Sequence, residues 1–201
     1  MIEIMEPVLK TIAFAVLAYL LGSIPFALLV TRVRAGIDVR SQGSGHASAT
    51  NTMRAAGWAA GIVVMLADIG KGYLAVWLAA NFGGTIAAPI AAAASVVVGH
   101  CWPIFAGFRG GMGMASGGGA LLAVWPLGFV LAVGLGAALQ LLIKHSARGN
   151  VVTGLLLMPL WLVFRVDTVL LGVALAAGLV ISGRALSDWN RVYRELWFDR
   201  E

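Results

Sequence analysis

The residues from 43 to 51 read GSGHASATN, nine small or polar positions set between long apolar runs. Their chemistry is that of an anion cradle. Glycine lets the backbone approach a ligand and turn successive N–H groups toward it, and Ser44, Ser48, Thr50 and Asn51 add side-chain hydrogen bonds. Thr50 or Asn51 is placed to cap a helix that carries Arg54, so a phosphate there would meet a helix N-terminus and a guanidinium together. A second run, GFRGGMGMASGGG at 107–119, has the same character and brings Arg109 as a second cation. Taken singly, each loop also reads as a close helix contact beside an interfacial arginine. Two such loops on one face point to a phosphate site. Neither is a Walker loop, because no G-x-x-x-x-G-K-[ST] occurs.

Other chemistry-bearing residues leave alternatives open. Asp68 and Lys71 stand three apart on one helical face, either as a mutually neutralising pair or as functional charges at membrane depth. His100 follows Gly99 and could position a substrate or satisfy a neighbouring carbonyl. Cys101, the one cysteine, reads as a packed thiol. There is no G-x-S-x-G elbow and no H-E-x-x-H, and none of the three histidines has an aspartate five positions on, as His-x4-Asp acyltransferases require. A nucleophile with its own base is not visible. What remains is an anion-binding chamber suited to a substrate whose phosphate is itself a good leaving group.

These loops need elements to hold them, and the composition says what kind. Of 201 residues, 60% are hydrophobic and 11% charged, against roughly 25% charged in an ordinary soluble domain. The chain is expected to be an all-α, polytopic membrane protein forming one domain over 1–201. The net charge of +5 could suggest nucleic acid, but the cations cluster in membrane loops, and no nucleic-acid partner is expected. Arg32, Arg34, Arg40 and Arg54 follow the first span; Arg109 lies in the glycine-rich break; Lys144 and Arg148 lie in a third connection; Arg184, Arg191, Arg194 and Arg200 lie in the tail. The positive-inside rule places all four groups in the cytoplasm. Spans are then expected near 8–30, 57–80, 86–106, 114–125, 127–143, 151–164 and 168–184, giving seven crossings with the N-terminus outside. Residues 114–143 are read as a short hairpin turning at Trp125-Pro126, since proline lacks a donor N–H and disfavours helix at the residue before it.

Several ordered segments resemble the bacterial acyl-phosphate:glycerol-3-phosphate acyltransferases, the PlsY family. YLLGSIPFA at 19–27 looks like that family's first-helix signature, and GSGHASATNTMR at 43–54 is similar to its G-S-G-N-x-G-A-T-N-x-x-R motif. DIGKG at 68–72 matches D-x-x-K-G, and GHCWPIFAGFRGGMGMAS at 99–116 is similar to G-H-x-x-P-x-F-x-x-F-K-G-G-K-G-V-A-T. The resemblance implies a seven-helix fold with its active site facing the cytoplasm of the inner membrane. It implies transfer of a fatty acyl group from acyl phosphate to the 1-hydroxyl of glycerol 3-phosphate, without metal or other cofactor and with a substrate phosphate assisting proton removal. Carried over by position, it assigns catalytic roles to Ser44, Asn51, Arg54 and His100. Substrate binding falls to Gly43, Gly45, His46, Thr50, Arg109, Gly110, Gly111, Gly113 and Asn190. The chain also departs from the pattern: His46 stands for asparagine, Ser48 for glycine, Arg109 for the first lysine and Met112 for the second. Ala147 and Asn150 stand for serines, and Ser187 for a tail histidine. The loss of a lysine leaves a catalytically silent paralogue as one alternative; a lipid or anion transporter is the other, although no inverted repeat of broken helices is seen.

Overall fold

Five helical stretches among the described residues are long and apolar enough to cross a membrane: Met5–Ala35, Trp58–Phe82, Ala87–Ala106, Pro126–Ile143 and Thr168–Leu186. The computed structural model describes residues 2–163 and 166–191. Its helices are α1 (Ile2–Gly22), α2 (Phe26–Ala35), α3 (Ala49–Ala56), α4 (Trp58–Phe82), α5 (Ala87–Cys101), α6 (Met114–Val124), α7 (Pro126–Ile143), α8 (Ser146–Val163) and α9 (Thr168–Leu186). No strand occurs among the described residues. The polarity is inverted relative to a water-soluble bundle. Val8, Leu9, Ile12 and Val16 of α1 face outward, whereas Ser23, Thr31, Asp68, Lys71, His100 and Ser116 are buried, as lipid demands. This is a multi-pass membrane protein.

The first expected span, 8–30, is not one helix. The chain breaks at Ser23-Ile24-Pro25 and restarts as α2, because Pro25 cannot donate to the ladder and biases Ile24 away from helix. A broken helix at membrane depth needs its freed carbonyls satisfied by other protein groups. Lys71 does this: its Nζ donates to the Ile24 carbonyl at 3.0 Å and to Asp68 Oδ1 at 2.8 Å, and lies 5.7 Å from the centre of the Phe26 ring. The Asp68–Lys71 pair therefore braces the break. Lys71→Met should destabilise the protein by about 3–5 kcal/mol, since it leaves Asp68 as a buried charge short of its partner. Thermal unfolding in detergent measures this, and Asp68→Asn added to Lys71→Met should recover part of the loss. A Lys71→Met protein as stable as its parent would remove the pair's structural role.

The hairpin expected in 114–143 is present. Trp125 is extended (φ −153°, ψ 92°) and Pro126 opens α7, where its missing N–H costs nothing. With 11 residues, α6 is only roughly 16 Å long, too short to cross alone. It is wedged against α4 so closely that a Cβ at Gly72 would overlap the Ser116 carbonyl. Asp167 caps α9 by accepting from the Leu170 N–H at 2.9 Å. That helix packs against α5 and α8 and delivers its terminal turn, 187–190, to the first glycine loop. Phe164, Arg165, Arg194 and Arg200 lie outside the described residues.

Candidate active site

The two glycine loops meet. The Ala47 N–H donates to the Gly110 carbonyl at 3.3 Å, while the N–H groups of Gly110 and Gly111 donate to the carbonyls of Cys101 and His100, each at 3.1 Å. The second loop thus folds back on the end of α5 and grips the first. Only glycine fits at 111, because a Cβ there would run into the His100 imidazole and sit 2.7 Å from the Ala47 carbonyl. Gly43, Gly45 and Gly113 take positive φ (46°, 73° and 84°).

The capping residue is neither Thr50 nor Asn51. Ser48 is the N-cap of α3, its side chain accepting from the Asn51 N–H at 3.3 Å; the helix starts two or three residues earlier than expected, which places the hydroxyl within reach of the third following N–H. Asn51 is fully buried beneath the loop. Its Nδ2 donates to the carbonyls of Val39 (2.8 Å), Gln42 (3.0 Å) and His46 (3.1 Å), so it shapes the loop and does not line the cavity.

Between these loops and α4, α6 and α7 lies a cavity of about 580 Å³. Ser44, His46, Thr50, Arg54, Asp68 and His100 line one part of it, and Met65, Ile69, Phe129 and Val133 line another. Its wall is polar at the loops and mostly apolar along the helices, where Asp68, His100, Gln140 and Asn150 are polar exceptions. Ser48 to Thr50, the amino end of α3, faces it together with Arg54 from the last turn of that helix. An anion there meets both the positive end of the helix dipole and a guanidinium. Asp68 Oδ1 lies 3.5 Å from His100 Nδ1, orienting the ring from the same carboxylate that pairs with Lys71. Met112 lines the cavity as well. Cys101 is a buried thiol in the core beside it.

The α9 terminus contributes a group that the sequence did not single out. His46 Nε2 lies 2.8 Å from Asp188 Oδ2, with both side chains at least nine-tenths buried. The same carboxylate lies 3.7 Å from Arg184 Nη1 and from Arg191 Nη1. Burial drives the His46 imidazole well below its usual pKa, Asp188 pulls it back, and Arg184 and Arg191 press it down again, leaving it at about 4. His46 is neutral at physiological pH. Gln140 was also missed: its Nε2 donates to Asn150 Oδ1 at 2.6 Å and to the Ser146 carbonyl at 3.1 Å, and all three line the cavity. A lone amide in the otherwise apolar run 126–143 was the available signal.

Of the expected substrate-binding residues, Gly43, Gly45, Gly110 and Gly111 build the loops without lining the cavity, and Asn190 and Arg109 do not line it either. Asn190 is exposed in the turn after α9. Arg109 lines a separate pocket with Arg32 and Arg40. Residues 107 and 108 both have positive φ (62° and 59°), and Arg109 follows directly on this reversal.

A family model described as Glycerol-3-phosphate acyltransferase matches residues 12–194. The chain belongs to that family. A glycerol-3-phosphate acyltransferase of Laribacter hongkongensis is 44% identical over 149 residues, covering 72% of this chain and 74% of the relative. A glycerol-3-phosphate acyltransferase 2 of Bacillus cereus is 39% identical over 166 residues, covering 83% of each. Among solved structures, the glycerol 3-phosphate form of PlsY (YgiH), an integral membrane glycerol 3-phosphate acyltransferase, superposes with a TM-score of 0.78 at 30% identity over 90% of both chains. Its lysophosphatidic acid form gives 0.76 at 28% identity, with the same coverage. Family membership fits a cavity bounded by two glycine loops and a cation on one side and by apolar helices on the other.

Proposed function

We propose that the protein transfers a fatty acyl group from acyl phosphate to the 1-hydroxyl of glycerol 3-phosphate, at the cytoplasmic face of the inner membrane. With the N-terminus outside, one crossing before the first glycine loop and two more before the second would put both loops on that face, as the basic loops require. The cavity carries this reading. Its polar part, with Ser44, Thr50 and Arg54, suits a phosphate, and its apolar part between α4, α6 and α7 suits an acyl chain. The acceptor hydroxyl oxygen attacks the acyl carbonyl carbon, the bond to the phosphate oxygen breaks, and inorganic phosphate leaves. The hydroxyl proton passes to a substrate phosphate oxygen. The protein contributes positioning and electrostatic stabilisation, with His100 fixed by Asp68 at the cavity wall.

Purified protein given palmitoyl phosphate and labelled glycerol 3-phosphate should form labelled lysophosphatidate and release phosphate. Binding without turnover would instead favour a silent paralogue, a reading that Met112 at the cavity wall supports because it offers no cation where the family motif has lysine. Met112→Lys should raise kcat/KM for glycerol 3-phosphate by about tenfold, the value of one charge-assisted contact. Unchanged kinetics in that variant would show that the missing lysine does not limit this site.

A further inference from the structure

Arg109 lines, with Arg32 and Arg40, a pocket of about 470 Å³ walled by Leu28, Leu29 and Phe105. This pocket and the catalytic cavity share no lining residue. Arg40 is already committed. Its Nη2 lies 2.7 Å from Asp38 Oδ2, and its Nη1 donates to the Ala106 carbonyl at 2.8 Å, tying the segment before one glycine loop to the segment before the other. That contact holds the Asp38 carboxyl down at about 2. Arg32 reaches the same carboxylate only at 3.9 Å and is 62% exposed; the Arg109 backbone N–H donates to the Ala106 carbonyl at 3.4 Å, while its guanidinium has no ion-pair or hydrogen-bond partner among the described residues. Three guanidinium groups less one carboxylate leave two positive charges at this pocket. Leu29 and Phe105 beside them are exposed apolar side chains. Left-handed backbone at Phe108 (φ 59°) is unfavourable for a residue with a side chain, and Arg109 follows directly on this turn.

We propose that this pocket is a lipid site distinct from the catalytic cavity: Arg32 and Arg109 hold the phosphate monoester head group of a membrane lipid whose chain lies along Leu29 and Phe105. The charge selects the head group. A phosphate monoester carries about 1.5–2 negative charges near neutral pH, matching the two uncompensated cations, whereas a phosphodiester carries one and a zwitterionic head group none net. An occupant would also brace the two glycine loops from outside through the Arg40–Ala106 bond. The proposal rests on membrane residence and not on the acyl-transfer reading, so either can fail alone.

Native mass spectrometry of the full chain in detergent, titrated with dioleoyl phosphatidate, phosphatidylglycerol or phosphatidylcholine, tests it. Phosphatidate should bind most tightly, and Arg32→Gln combined with Arg109→Gln should weaken it on the order of tenfold or more while leaving phosphatidylcholine unchanged. Arg32→Lys with Arg109→Lys should keep most of the binding, which separates lost charge from lost fold, and Arg54→Gln in the catalytic cavity should leave it intact. The proposal is overturned if the glutamine pair binds phosphatidate as the parent does, if Arg54→Gln abolishes the binding, or if equimolar inorganic phosphate displaces the lipid fully.

Discussion

Arg54→Ala is expected to lower kcat/KM for glycerol 3-phosphate on the order of a hundredfold, with the protein still folded and inserted. Arg54 stands in the last turn of α3, its Cδ beside Gly43 of the loop that Asn51 holds in shape, and it lines the polar part of the cavity. A charge-assisted hydrogen bond is worth about 1.5–3 kcal/mol net, or ten- to a hundredfold in rate or affinity. The upper end applies here because the site is walled by protein on several sides and poorly screened. Arg54→Lys should be tolerated only in part, since a forked planar donor becomes a point charge. The control is Arg109→Ala. With its side chain on the outer pocket, that variant should leave the KM for glycerol 3-phosphate at the parental value. Initial rates with acyl phosphate as donor decide the matter; parental kinetics in Arg54→Ala would remove the phosphate cradle from the mechanism.

The contrast between these two arginines shows what a sequence can and cannot reveal. Both stand beside glycine runs and read alike, because composition marks a backbone that can approach a ligand but not which side of it a neighbouring side chain takes. Arg109 follows directly on Phe108, whose positive φ is invisible in the residue type. The helix break at Ser23-Ile24-Pro25 carried a local signal in Pro25, but hydropathy runs unbroken from 8 to 30 and masked it; what the sequence does not show is the group that satisfies the break, Lys71 from another helix. The turn at Trp125-Pro126 was legible, since proline acts locally. Charge-based topology likewise put the two loops on one side, where they could meet, and the bond from Ala47 to Gly110 shows that they do. The cap expected at Thr50 or Asn51 falls instead to Ser48, because which hydroxyl or amide meets the free N–H groups depends on where the backbone starts the first turn of α3. The pairing of His46 with Asp188 joins the first loop to the tail, and no local pattern announces a contact between segments so far apart in the chain.

His46→Asn is expected to leave substantial turnover and to abolish a large pH dependence of stability. The imidazole, at about 4 in the folded protein against 6.5 for the free side chain, binds fewer protons folded than unfolded between those two values. Stability therefore rises with pH across that window: the contribution of neutral His46 is complete above 6.5 and is lost as pH falls from 6.5 to 4. The shift corresponds to about 3 kcal/mol. In thermal unfolding in detergent from pH 4 to pH 8, the parent should lose stability steeply on the acidic side of 6.5, and His46→Asn should lose markedly less. Folding should survive the change, because an asparagine amide can donate to Asp188 and that carboxylate keeps Arg184 and Arg191. The same placement bears on catalysis. A histidine held near 4 with Nε2 committed to Asp188 has no titration to contribute between pH 6 and 9, so rates across that range should show no transition that His46→Asn removes. If the substitution abolished turnover and erased a rate transition near neutral pH, the proton of the acceptor hydroxyl would be going to His46, and the substrate phosphate would lose its assigned role as base.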